Sequence, residues 1–305
     1  MKLRTPAYLA KGDKVALISP ASFVTDSKAV ILAEELLTSW GFVPVRGKHI
    51  LAQDGSFAGT DAQRLEDLQN ALDNPEIKAV WAMRGGYGLT RIIADLDFTK
   101  FLKNPKWIIG FSDVTALHNV LHKLNYKSIH AFMPIQLIDK EPASEFAKDS
   151  LLKALTGIEI RHKLPGCTLG KTGSIDGVLV GGNLSLLVSL LGTKQQLKTK
   201  GKILFIEDVG EPLYKIDRMM QSLKLAGCLK DLKGLIVGGI TDVKASKHDF
   251  GKTYHNIIND VVDEYDYPLI FDIASGHFSD NRALVLGEET VIKVGEFISC
   301  IIFGD

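Results

Sequence analysis

Lys106-Trp107-Ile108-Ile109-Gly110-Phe111-Ser112-Asp113, continued by Val114-Thr115-Ala116-Leu117-His118-Asn119-Val120-Leu121, is the stretch that decides the fold. Its first half is a short apolar run without polar alternation, which reads as a strand buried on both faces. The apolar residues at 114, 117, 120, 121 and 124 then recur at helical spacing, so a helix follows. Ser112 falls on the turn between them. A strand-to-helix turn at the carboxyl end of a sheet exposes a side chain beside the free N–H groups of the new helix, a setting suited to a nucleophile. The plainer alternative is that Ser112 or Asp113 only caps the helix.

The same alternation extends outward on both sides. Strands are expected over 14–20, 42–45, 77–83 and 127–132, with helices over 26–40, 61–72, 89–96 and 144–155. Gly41 is the expected terminator of the first helix. Alternating strands and helices at this spacing imply a parallel sheet covered on both faces, so residues 1–155 read as a doubly wound α/β domain. Between 156 and 174 the pattern fails, and Gly157, Pro165, Gly166, Gly170 and Gly173 punctuate a polar segment that reads as an interdomain linker. Residues 175–305 read as a β-rich α+β domain. Its expected strands are 202–206, 235–240, 269–273, 283–286, 291–294 and 297–302, the last three as an antiparallel meander, with helices over 212–225 and 254–265.

Composition narrows the function classes. In 305 residues, Lys plus Arg equals Asp plus Glu at 36 each, which gives no electrostatic case for nucleic acid or an anionic membrane. The amino terminus has no signal-like apolar core, since Lys11, Asp13 and Lys14 follow quickly, and a cytoplasmic protein is expected. The apolar stretch 178–191 is interrupted by Gly181, Gly182 and Asn183 and is shorter than the roughly 20 residues that span a bilayer. Cys167, Cys228 and Cys300 are widely spaced and read as reduced thiols.

Three other stretches share the character of Ser112, with polar residues at the carboxyl ends of apolar runs. They are Arg84-Gly85-Gly86-Tyr87-Gly88, Glu207-Asp208 and Gly276-His277-Phe278-Ser279. Ligand sites of open α/β sheets lie outside those ends, so a serine, a histidine and a carboxylate can converge there. Together they suggest acyl transfer. A serine hydroxyl needs an imidazole to take its proton, and the imidazole needs a carboxylate to fix its tautomer. The tetrahedral oxyanion needs N–H donors, for which Gly85 or Gly86 and the residue after the serine, Asp113, are candidates. Each member also has a plainer reading. Glu207-Asp208 can be the acidic entry to the helix near 212, His277 a loop histidine, and the glycines a turn.

Two other motifs are set aside. His118 and His122 stand four apart on a helix but lack the adjacent glutamate of a zinc-protease motif, so a packing role is favoured over a metal. Gly86 and Gly88 begin a dinucleotide-like spacing, but Arg91 stands at its third position and the first strand ends without glycine, which disfavours a nicotinamide or flavin cofactor.

Read in order, Met83-Arg84-Gly85-Gly86-Tyr87-Gly88, Gly110-Phe111-Ser112-Asp113, Gly181-Gly182-Asn183-Leu184, Ile206-Glu207-Asp208 and Gly276-His277 resemble the serine LD-carboxypeptidases, the muramoyltetrapeptide carboxypeptidase family. That family also contains the microcin C self-immunity peptidases. The resemblance implies Ser112 as nucleophile, His277 as general base and Glu207 as its orienting carboxylate, with the N–H groups of Gly86 and Asp113 as the oxyanion hole. It further implies a cytoplasmic homodimer without metal or cofactor. The implied substrate is a murein tetrapeptide, from which the terminal D-alanine on the L-centre of meso-diaminopimelate is removed. Arg84, Tyr87 and Asn183 are the expected substrate-binding residues, Arg84 because a guanidinium engages a carboxylate bidentately. An ion pair inside the domain is the alternative for Arg84. The microcin branch, which cleaves an aminoacyl-nucleotide, usually carries an aromatic near the base. Residues 161–174 contain no Trp, Tyr or Phe, which favours the cell-wall peptide. A non-catalytic peptide- or sugar-binding α/β protein is the alternative of a different class.

Overall fold

The structure is a computed structural model and describes residues 3–165, 171–245, 249–295 and 298–303. The apolar runs of the first half become β1 (Lys14–Ile18), β2 (Val43–Arg46), β3 (Ile77–Ala82), β4 (Trp107–Gly110) and β5 (Ser128–His130). They lie side by side in the order β5-β4-β3-β1-β2, all parallel. Around them pack α1 (Lys28–Ser39), α2 (Asp61–Asp73), α3 (Leu89–Ile92), α4 (Thr115–Lys123) and α5 (Glu145–Thr156). Successive strand residues point to opposite faces, and here both faces are covered. Val15, Leu17 and Trp81 enter one apolar cluster with α1 and α5, whereas Ala16, Ile18 and Val80 enter another with α2, α3 and α4. This is why the strands show no polar alternation.

Local chemistry sets the helix limits. The Thr60 hydroxyl accepts from the Gln63 N–H at 3.3 Å while the Gln63 side chain accepts from the Thr60 N–H at 2.9 Å, a reciprocal cap on α2. Ser144 caps α5, which stops at Gly157 with φ 77°. Helix α3 is one turn, shorter than the expected 89–96.

The second half contributes β6 (Ile160–Pro165), β7 (Gly173–Asn183), β8 (Ile203–Val209), β9 (Gly234–Thr241), β10 (Leu269–Ile270), β11 (Leu284–Leu286), β12 (Glu289–Val294) and β13 (Ile298–Phe303), with α6 (Leu184–Ser189), α7 (Leu213–Leu225) and α8 (Tyr254–Val262). Seven of these strands form a sheet in the order β10-β9-β8-β7-β12-β13-β6. Strand β7 serves two roles. Residues 173–178 pair antiparallel with β12, and residues 179–183 pair parallel with β8. One face of this sheet shares the first apolar cluster, through Leu179, Ile203, Phe205 and Ile236, so a single core runs through both sheets. The other face packs on α6, α7 and α8.

Three expectations are corrected. The last three strands are not a meander, because β11 leaves its neighbours and pairs antiparallel with β5, setting Leu284 opposite His130 and Leu286 opposite Ser128. The free edge of β5 needs a partner, and all three β11 residues are buried, unlike the alternating β12. The stretch expected as a linker, 156–174, holds the end of α5, all of β6 and the start of β7, with residues 166–170, including Cys167's surroundings at 167, outside the described residues. Ile160 and His162 of β6 are buried while Arg161 and Lys163 are exposed, an alternation that the neighbouring glycines obscured. The third correction, to Asn183, belongs to the site.

Candidate active site

Strand β4 ends at Gly110, and after Phe111 the chain turns sharply into α4 through one 3-10 turn, Ser112–Val114. Ser112 has φ 60°, a left-handed conformation that a non-glycine residue rarely adopts. That turn lifts the hydroxyl off the end of the sheet. The loop after β3 passes directly over it, since a Cβ built on Gly85 would stand 2.8 Å from Ser112 Cβ and 3.0 Å from its Oγ. Gly85 is therefore required by close approach. Gly86 has φ 92° and no room for a side chain beside Ser22.

Glu207 lies near the end of β8, fully buried, and its Oε2 accepts from Nδ1 of His277 at 2.7 Å. Burial alone lowers the affinity of His277 for a proton, but the Glu207 charge and hydrogen bond outweigh it and the pKa is raised above its ordinary value. The bond also fixes the tautomer, leaving Nε2 as the free nitrogen. The His277 ring packs 4.6 Å from the ring of Phe111, the residue before the nucleophile candidate. The His277 loop is held from both halves. Thr241 Oγ1 donates to the His277 carbonyl at 3.3 Å, Asn281 Oδ1 accepts from the Gly276 N–H at 2.9 Å, and Gln136 Nε2 donates to the Phe278 carbonyl at 3.2 Å.

Asp208, next to Glu207, faces the opposite side of β8. It accepts from Asn183 Nδ2 at 3.0 Å, from the Ser185 N–H at 2.9 Å and from the Ser185 hydroxyl at 2.7 Å, so it braces the start of α6. The helix that Asp208 serves is α6 and not the helix near 212, whose first turn holds no acidic residue. Asn183, expected to bind substrate, is corrected here. It is 4% exposed, its Oδ1 accepts from the Leu186 N–H at 3.1 Å and its Nδ2 donates to Asp208, which makes it a buried helix cap.

Arg84 stays beside the nucleophile turn, where Nη1 donates to the Phe23 carbonyl at 2.9 Å. It forms no short salt bridge among the described residues, although its charge is felt by the carboxylate of Asp139. Tyr87 is 54% exposed and its ring lies 5.6 Å from that of Phe57. His118 is buried, with Nε2 donating to the Gly110 carbonyl at 2.9 Å, a packing role under the nucleophile turn.

Sequence reasoning passed over Ser22. It follows the first strand, whose carboxyl end was searched only for glycine. Its N–H donates to the Gly85 carbonyl at 3.0 Å and its Oγ accepts from the Tyr87 N–H at 3.2 Å, which pins the glycine loop. Its place after β1 was the available signal.

Known proteins resemble the chain in sequence and fold. The family model described as the LD-carboxypeptidase N-terminal domain matches residues 15–131, and that of the LD-carboxypeptidase C-terminal domain matches residues 176–292. A probable murein peptide carboxypeptidase of Bacillus subtilis is 35% identical over 295 residues, covering 95% of this chain and 92% of the relative. The murein tetrapeptide carboxypeptidase of Pseudomonas aeruginosa is 33% identical over 291 residues, covering 92% and 93%. A crystal structure of muramoyltetrapeptide carboxypeptidase from Oxalobacter formigenes superposes with a TM-score of 0.87 at 29% identity, covering 96% of this chain and 99% of that one.

Proposed function

The chain belongs to the LD-carboxypeptidase family and is a carboxypeptidase, hence a hydrolase, and from that premise we propose that it is a serine enzyme that removes the terminal D-alanine from murein tetrapeptide in cell-wall recycling. The observation that carries the serine mechanism is the 2.7 Å hydrogen bond between buried Glu207 and His277, set against the Phe111-Ser112 turn.

In this reading Ser112 Oγ attacks the carbonyl of the diaminopimelate residue while His277 Nε2 takes the hydroxyl proton. Glu207 stabilises the imidazolium through Nδ1–H. The N–H groups of Gly86 and Asp113 receive the oxyanion. Collapse of the tetrahedral intermediate breaks the peptide bond, and His277 returns the proton to the D-alanine amine. Water then attacks the acyl-enzyme by the same proton path, releasing the tripeptide and restoring Ser112. No hydrogen bond joins Ser112 and His277 among the described residues, and such bonds commonly tighten only when substrate seals the site.

A carboxypeptidase must also recognise the substrate's free carboxylate, and Arg84, next to Gly85 over Ser112 and without a short salt bridge among the described residues, suits that task. Tyr87 flanks it. The same reading makes the protein a cytoplasmic homodimer; no helix among the described residues is long and apolar enough to cross a membrane. Comparing kcat/KM for L-Ala-γ-D-Glu-meso-Dap-D-Ala with that for an aminoacyl-nucleotide tests the substrate. The tetrapeptide is expected to be preferred by at least about 100-fold, a difference of roughly 3 kcal/mol in transition-state binding. Preference for the nucleotide rejects the assignment.

A further inference from the structure

Asp113 follows the nucleophile directly, yet its side chain turns away from the substrate side and into the protein. It is 1% exposed, and its Oδ2 accepts from the Leu89 N–H at 2.8 Å. The Gly88 N–H and the charge of buried Arg64 also favour the ionised carboxylate, while its Oδ1 has no hydrogen-bond partner among the described residues. Gly88 and Leu89 close the loop that begins at Arg84. Ser22 grips that loop at Gly85 and Tyr87, and Asp113 grips it two residues further on.

Gly86 lies between the two points that Ser22 holds, just ahead of the Asp113 grip, and the N–H groups of Gly86 and Asp113 donate to no group among the described residues. One of them sits on the strapped loop, and the other belongs to the residue that straps it. Building on the proposed serine mechanism, we propose that the Asp113 carboxylate is a positioning residue that ties the two oxyanion donors into one rigid unit by holding the loop at Leu89. The arrangement is costly, because burial pushes the Asp113 carboxyl up to about 6 despite the two N–H donors and Arg64. A helix cap alone does not account for that cost, since α3 is a single turn. Donors that are fixed before the reaction are the reason to bear it. Loss of one such donor typically lowers kcat by about 100- to 1,000-fold.

The test compares Asp113→Ala and Asp113→Asn in the full chain. Asparagine keeps one acceptor for Leu89, whereas alanine keeps none. The proposal expects D113A to lose about 100-fold in kcat with KM little changed, and D113N to recover at least about tenfold of that loss. Amide hydrogen exchange at Leu89 should accelerate in D113A and stay slow in D113N, a readout independent of turnover. A D113A enzyme with wild-type kcat, a change confined to KM, or equal damage in both variants overturns the proposal. Should D113A fail to fold, D113N decides alone, since a kcat reduced by about 100-fold or more in a folded D113N rejects the strap. Wild-type protein unable to cleave the tetrapeptide points instead to failure of the underlying serine-carboxypeptidase reading, while the exchange experiment still reports on the strap.

Discussion

Ser112 is held at φ 60°, where a side chain costs about 1–3 kcal/mol that glycine does not incur. Ser112→Gly should therefore abolish turnover yet unfold no more easily than wild type in urea; a loss of more than about 1 kcal/mol contradicts strain at the nucleophile. Glu207 raises the pKa of His277, and in the proposed mechanism His277 is a general base that works only when neutral, so activity is expected to rise with pH through that pKa. Removing the charge with Glu207→Gln should move the acid limb of the pH–rate profile to lower pH, while kcat falls by about 10³- to 10⁴-fold as the tautomer is lost. An unmoved acid limb separates Glu207 from His277. These residues were legible because each stands at the carboxyl end of an apolar strand. Asn183 was misread for the same reason, since a buried cap and an exposed ligand look alike in sequence.

At the scale of elements, the join between the halves is made by α4 against β7. Asn183 N–H donates to Thr115 Oγ1 at 3.0 Å, and a Cβ on Gly182 would stand 2.5 Å from that same oxygen. Gly182 also has φ 145°. Gly182→Ala should destabilise the protein by at least about 2 kcal/mol in denaturant titration; an effect below about 0.5 kcal/mol rejects the close contact as a constraint. The strands and helices of the parallel sheet were readable because burial on both faces leaves continuous apolar runs. Strand β11 was read as a strand but assigned the wrong partner, because a three-residue apolar segment carries no record of which sheet edge it completes. Strand β6 was hidden by the glycines and proline around it, although Ile160 and His162 alternate with Arg161 and Lys163.

Across the whole molecule, one apolar cluster joins both sheets, and buried histidines line the packing around it. Burial lowers His118 and His162 to about 4, and holds His130, caged by the rings of Phe111 and Phe205, well below its ordinary value. Below the ordinary value of about 6.5 the unfolded chain takes up protons that the folded chain refuses, so stability is present above that pH and is lost toward pH 4. Each of His118 and His162 contributes a loss of about 3 kcal/mol over that window. The melting temperature should fall steeply between pH 6.5 and 4, and less steeply in His130→Phe, whose ring nitrogens have no hydrogen bond to lose among the described residues. A flat profile contradicts the neutral buried histidines. The central claim, a serine LD-carboxypeptidase, is tested most directly by mass spectrometry of L-Ala-γ-D-Glu-meso-Dap-D-Ala incubated with wild type and with Ser112→Ala, each with a chelator present. Loss of one alanine by the wild type alone is the predicted result, and cleavage by both proteins, or by neither, contradicts it.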